Sequence, residues 1–201
     1  MAETREAKVM RRYGLTLEHE WPEDVLSLFE GACSDMVGAL GGAAPAWLSG
    51  LKVRLEKMKP LGLTGTGLVR LNPRGLTRWT IVHELAHAWD FSTGTRLSRQ
   101  LQRATHSSGV FSWLKRRFPK NKRFWYHIGA PPPPCGTDVN FNRMEDFAES
   151  VAAFVYPDLA RERAAKRGLP YEMFGYESFK ETPRGKFISR LAVINKKDTL
   201  D

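Results

Sequence analysis

Residues 81–90 read IVHELAHAWD. His83 and His87 stand four positions apart with Glu84 beside the first, inside an apolar run. Ile81, Val82, Leu85, Ala86, Ala88 and Trp89 make the stretch apolar around most of its girth, the pattern of a buried helix. Thr77 is placed to cap that helix and Gly94 to close it, which sets its span at about 77–91. On a helix, positions four apart lie about 6 Å from each other on one face. The two rings can therefore aim at a single point. Three ionisable groups on a buried helix need a partner, because burial without one is costly.

Zinc accepts such imidazoles at about 2.0–2.1 Å and, in catalytic sites, takes a third protein ligand and keeps one position for water. It lowers the pKa of that water to about 7, and a nearby carboxylate takes the proton as hydroxide attacks a carbonyl. Glu84 projects from a neighbouring angle and is the candidate for that general base, which gives the HExxH arrangement of zincin metallopeptidases. The metzincin variant requires Gly at position 90 and His at 93, whereas Asp90 and Thr93 stand there. Downstream, NRMEDFAESVAAFVYP (142–157) reads as a second helix with Asn142 as cap and Pro157 as stop. Glu145 and Glu149 are four apart on it, among Met144, Phe147, Ala148, Val151 and Ala152. That setting is too apolar for a solvated acidic face. One carboxylate can bind a metal while the other, a turn along, accepts a hydrogen bond from a ligand histidine.

Outward from these helices, PEDVLSLFEGACSDMVGAL (22–40) is amphipathic. Pro22 suits its first position, Glu23 and Asp24 its positive end, and Val25, Leu28, Phe29, Ala32, Met36 and Leu40 form one face. LKVRLEK (51–57) alternates, with Leu51, Val53 and Leu55 on one side and Lys52, Arg54 and Glu56 on the other, as in a half-buried strand. GLVRLN (67–72) is a second strand after the Gly-rich LGLTGTG, and Asn72-Pro73 ends it. DLARERAAKRG and TPRGKFISRLAV read as two short helices. Helix, strands, then helices point to an α+β fold. Residues 1–21 are set apart as an N-terminal segment with freedom to be flexible, and 22–201 as one domain with a basic insertion at 91–137. No stretch has the apolar length of a membrane span, and the charged N-terminus lacks the apolar core of a secretory signal. Two cysteines are too few for a disulfide framework; Cys33 is expected in the core and Cys135 in a proline-rich loop. A cytoplasmic address is the expectation.

HELAHAWD followed by N-x-x-E-D-F-A-E resembles the gluzincins, and within them the catalytic domains of the anthrax lethal factor type. The resemblance covers about residues 67–156. It implies a zincin-like fold with a small mixed sheet whose edge strand lies over the cleft and pairs with an extended substrate, and LVRLN is the candidate for that strand. It also implies one Zn2+ held by His83, His87 and Glu145, with Glu149 orienting a ligand histidine. Asp90 would match an aspartate that the lethal-factor type carries three residues past its second histidine. The implied reaction is hydrolysis of a peptide bond without a covalent intermediate. The lethal-factor type also places a transition-state tyrosine shortly before its ligand glutamate. Residues 128–144 contain no Tyr, so Tyr126 and His127 are the nearest groups able to steady an oxyanion.

The net charge of +9 is localised. Phe91 to Thr137 holds nine Lys and Arg and no Asp or Glu, interleaved with Phe111, Trp113, Phe118, Phe124, Trp125 and Tyr126. Such a segment can be a helical insertion with solvated charges, a lid that selects acidic peptides through Lys115, Arg116 and Arg117, or a nucleic-acid surface. A peptide or protein substrate with acidic character is expected first, nucleic acid second, and a membrane not at all. Two alternatives stand beside the gluzincin reading. One is a DNA-associated zincin of the SprT kind, with His127 or His106 as third ligand. The other is a binding module that keeps the zinc fold without turnover, against which the presence of Glu84 counts.

Overall fold

The computed structural model describes residues 3–42, 46–106, 142–166 and 171–197. Its helices and strands run α1 (Arg5–Tyr13), β1 (Thr16–Glu18), α2 (Glu23–Ala39), β2 (Lys52–Leu55), β3 (Gly62–Gly65), β4 (Leu68–Leu71), α3 (Arg78–Ser92), α4 (Arg96–His106), α5 (Arg143–Val155), α6 (Pro157–Ala165) and α7 (Pro183–Lys197). The four strands form one mixed sheet in the order β1-β2-β4-β3, so the fold is α+β. β1 and β4 both run parallel to β2, and β3 returns antiparallel to β4.

The alternation of LKVRLEK is obeyed: Leu51, Val53 and Leu55 are buried, Lys52 is exposed and Arg54 half-buried. In register with them, Leu17, Val69 and Leu71 join the core, while Glu18 on the outer face bonds Arg54 at 2.6 Å. One face of the sheet is thus apolar and the other carries charge, as expected of a sheet covered on one side.

The strand expected at the edge is an inner one. LVRLN supplies β4, which lies between β2 and β3, and the edge is GLTG at 62–65. Two glycines in four residues remove the β-branched signature of a strand, so the segment reads as loop. A two-residue turn, Thr66-Gly67, joins β3 to β4, and Gly67 adopts φ 70°, open to glycine at little steric cost.

Residues set apart at the N-terminus belong to the same core. α1 is capped by Thr4 and buries Val9 and Tyr13, β1 pairs with β2, and Leu15 and Trp21 complete the contact. α2 buries Leu26, Phe29, Ala32, Cys33 and Met36, a face turned slightly from the expected one, with Val25 and Leu28 at its margin.

α3 is the centre of the packing and touches α2, α4, α5, β3 and β4. Its Trp89 stacks on Trp47 at 5.7 Å and meets the edge of Phe147 of α5 at 5.6 Å. α5 is tied in turn to α7 by a buried pair in which Arg184 donates to both oxygens of Asp146 at 2.7 and 3.0 Å. Among the described residues no helix is long and apolar enough to cross a membrane.

Breaking a buried ion pair on one side costs about 3–5 kcal/mol. Arg184→Met is therefore expected to lower the free energy of unfolding in urea by that order. Tyr13→Ala should cost roughly 3 kcal/mol. A loss below about 1 kcal/mol would place α1 outside the cooperative core.

Candidate metal centre

The two caps expected from sequence start the two site helices. Thr77 Oγ1 accepts from the Thr80 amide at 3.2 Å, and Asn142 Oδ1 accepts from the Met144 and Glu145 amides at 2.8 and 3.3 Å. The second cap also fixes the first turn of α5, where Glu145 projects. The packing of Trp89 against Phe147 then brings the two helices face to face.

At that contact three side chains converge. His83 Nε2 and His87 Nε2 are 3.1 Å apart. Glu145 places Oε2 at 3.2 Å from the first and Oε1 at 3.3 Å from the second. A tetrahedral ion with ligands at about 2.0–2.1 Å holds neighbouring donor atoms roughly 3.3–3.4 Å apart. The two nitrogens at 3.1 Å approach that spacing, each with one of the two Glu145 oxygens beside it, and His83, His87 and Glu145 could hold a metal ion.

The electrostatics agree with a site made for positive charge. Burial would push the His83 imidazole below its usual pKa, but Glu145, with Glu149 and Glu84 behind it, holds it above. Burial likewise works to raise Glu145, and the hydrogen bonds of His83 and His87 outweigh it, so this carboxyl stays well below the usual range. Glu149 is raised by its own burial, which His83 only partly offsets. Its Oε1 lies 3.6 Å from His83 Nδ1, just outside hydrogen-bond range. Glu149 thus faces the His83 ring nitrogen opposite the one that Glu145 meets.

Glu84 points elsewhere. It is 7% exposed, and its Oε2 accepts from Thr64 Oγ1 on the edge strand at 2.6 Å. Its carboxylate is thereby kept out of the trio while remaining on the same helix turn. Asp90 is fully buried, and its Oδ1 accepts from the Ser98 amide at 2.9 Å, within the first turn of α4. Its hydrogen bonds among the described residues lead to α4 and to the turn at Thr93 and Thr95, not to the histidines.

The structure brings together His83, His87, Glu145 and Glu149. Tyr126, His127, Lys115, Arg116, Arg117 and Cys135 lie outside the described residues, and so does the side chain of His106. Sequence reasoning missed Thr64 and Gly62, which touch Glu84 from β3, since nothing in GLTG marks it as a strand. It also missed the Asp146–Arg184 pair; a lone aspartate in an apolar helical run was the signal for that one.

Comparison with known proteins finds no matching family model, no matching curated protein and no matching solved structure.

A proton on the His83 imidazole and a metal compete for one nitrogen. Metal uptake is therefore expected to release a proton, and affinity to fall as the pH drops through the raised His83 pKa. Calorimetric titration in buffers of different ionisation enthalpy reads that release directly. Glu149→Gln is expected to weaken binding by about 10- to 100-fold, and Glu145→Gln to weaken it further. Equal losses would deny Glu145 its place among the ligands.

Proposed function

We propose that this chain is a zinc-dependent peptidase of the gluzincin type. The observation that carries the reading is the convergence of His83, His87 and Glu145 on one point, with a fourth ionisable group, Glu84, held just beside it by the edge strand. Imidazole and carboxylate donors suit zinc among the common divalent ions. A carboxylate rather than a histidine as third donor favours the gluzincin arrangement over the SprT kind.

Zinc held by His83, His87 and Glu145 would polarise a carbonyl and lower the pKa of a bound water to about 7. The chain's own residues supply the rest. Glu84 takes a proton from the attacking water and delivers it to the leaving amine. Glu149 keeps the His83 ring in place from behind.

The outer edge of β3, unpaired among the described residues, offers a way to hold an extended peptide. The Asn72 amide donates to Leu61 O at 2.9 Å, so positions 61, 63 and 65 turn their backbone groups towards β4. Gly62 and Thr64 then turn theirs outward, where an added strand would pair. A peptide seated there lies alongside Glu84, because positions 62 and 64 are the ones that touch it. The acidic preference proposed for the substrate rests on the run of basic residues in 91–137.

Cleavage of a proteome-derived peptide library tests the reading. Glu84→Gln is expected to bind zinc as well as the unaltered chain and to cleave about 10²- to 10⁴-fold more slowly. Dialysis against a chelator should abolish cleavage and added zinc should restore it. Equal cleavage by both proteins, or none by either with zinc bound, would remove the proposal.

A further inference from the structure

The geometry points to a role for the edge strand beyond pairing with substrate: Gly62 and Thr64 are positioning residues that set the Glu84 carboxylate. This inference rests on the peptidase reading of the site.

Successive residues of a strand face opposite sides, so positions 62 and 64 share one face, and both meet α3. Thr64 Oγ1 is 2.6 Å from Glu84 Oε2 and 3.1 Å from the Glu84 carbonyl oxygen. The hydroxyl has a single proton, and the shorter contact is to the carboxylate, where a charge-assisted bond is the stronger. Threonine is stiff about χ1, so the donor is held in place by the strand itself.

Gly62 acts from the other side. A Cβ built there would overlap Cγ, Cδ and Oε1 of Glu84 together. Gly62 is not among the glycines with positive φ, so its backbone does not demand glycine. The space does. One oxygen of Glu84 is thus tied by Thr64 while the rest of its side chain fills the room that Gly62 leaves. The strand yields little, being paired to β4 along its length, whereas the glutamate side chain rotates easily. A side chain at 62 would therefore displace the carboxylate and leave the fold standing.

Gly65 is the control within the same strand, since a Cβ there meets nothing within 4 Å. Four variants of the full zinc-loaded chain decide the matter: Gly62→Ala, Thr64→Val, Thr64→Ser and Gly65→Ala. A misplaced reacting group costs up to about 10²-fold. Gly62→Ala and Thr64→Val are expected to lose about 10- to 100-fold in kcat with KM nearly unchanged. Thr64→Ser and Gly65→Ala should keep most of it, and zinc content should be equal in all four.

A second readout does not depend on turnover. With 13C-labelled glutamate carboxyls, the Glu84 resonance is the one absent from Glu84→Gln. It should move in Gly62→Ala and Thr64→Val and stay in Gly65→Ala. An unmoved resonance in Gly62→Ala, or a kcat loss shared equally by Gly65→Ala, would overturn the inference. If the unaltered chain cleaves nothing, the peptidase reading fails, and the resonance alone decides whether the edge strand positions Glu84.

Discussion

Desolvation of α3 is the constraint around which the rest of the molecule is arranged. This helix is covered on nearly every side, yet it carries His83, Glu84, His87 and Asp90. A buried ionisable group without a partner costs several kcal/mol, comparable to a good part of a domain's stability. The four are met from three directions. Glu145 comes from α5 to the histidines, Thr64 from β3 to Glu84, and the Ser98 amide from α4 to Asp90. The elements packed on α3 are thus placed by apolar contact and also by the polar groups they must deliver.

α5 meets the same difficulty in mirror image. Glu145, Asp146 and Glu149 lie within five residues of a helix that also buries Phe147, Ala148, Val151, Ala152 and Phe154. Helical periodicity separates their tasks. Glu145 and Glu149, a turn apart, share the face towards α3, one in front of the histidines and one behind His83. Asp146, about 100° round from Glu145, faces α7 and receives Arg184. The pair with Arg184 satisfies that buried carboxylate and joins α5 to α7.

The sheet is least regular where it meets the centre. β2 and β4 are read easily because their alternation follows from one buried face. β3 gives up its strand signature at the place where it touches Glu84: Gly62 has no side chain because the glutamate occupies that volume. Local propensity and the packing of Glu84 conflict there, and the packing prevails.

What the sequence by itself determined is whatever depends on near neighbours along the chain. His83 and His87 share a face because four residues make about one turn, and Glu145 and Glu149 do so for the same reason. Thr77 and Asn142 cap their helices because a side-chain oxygen reaches an amide two or three residues on. The face of Leu51, Val53 and Leu55 follows from period two. What only the tertiary structure decided is whatever depends on segments meeting through space. That includes Glu145 in front of the histidines and Glu149 behind, GLTG rather than LVRLN at the edge, Thr64 on Glu84, Arg184 on Asp146, and the N-terminal residues in the core. Such contacts arise where packing sets two surfaces against each other, and no periodicity along one segment records the face of another.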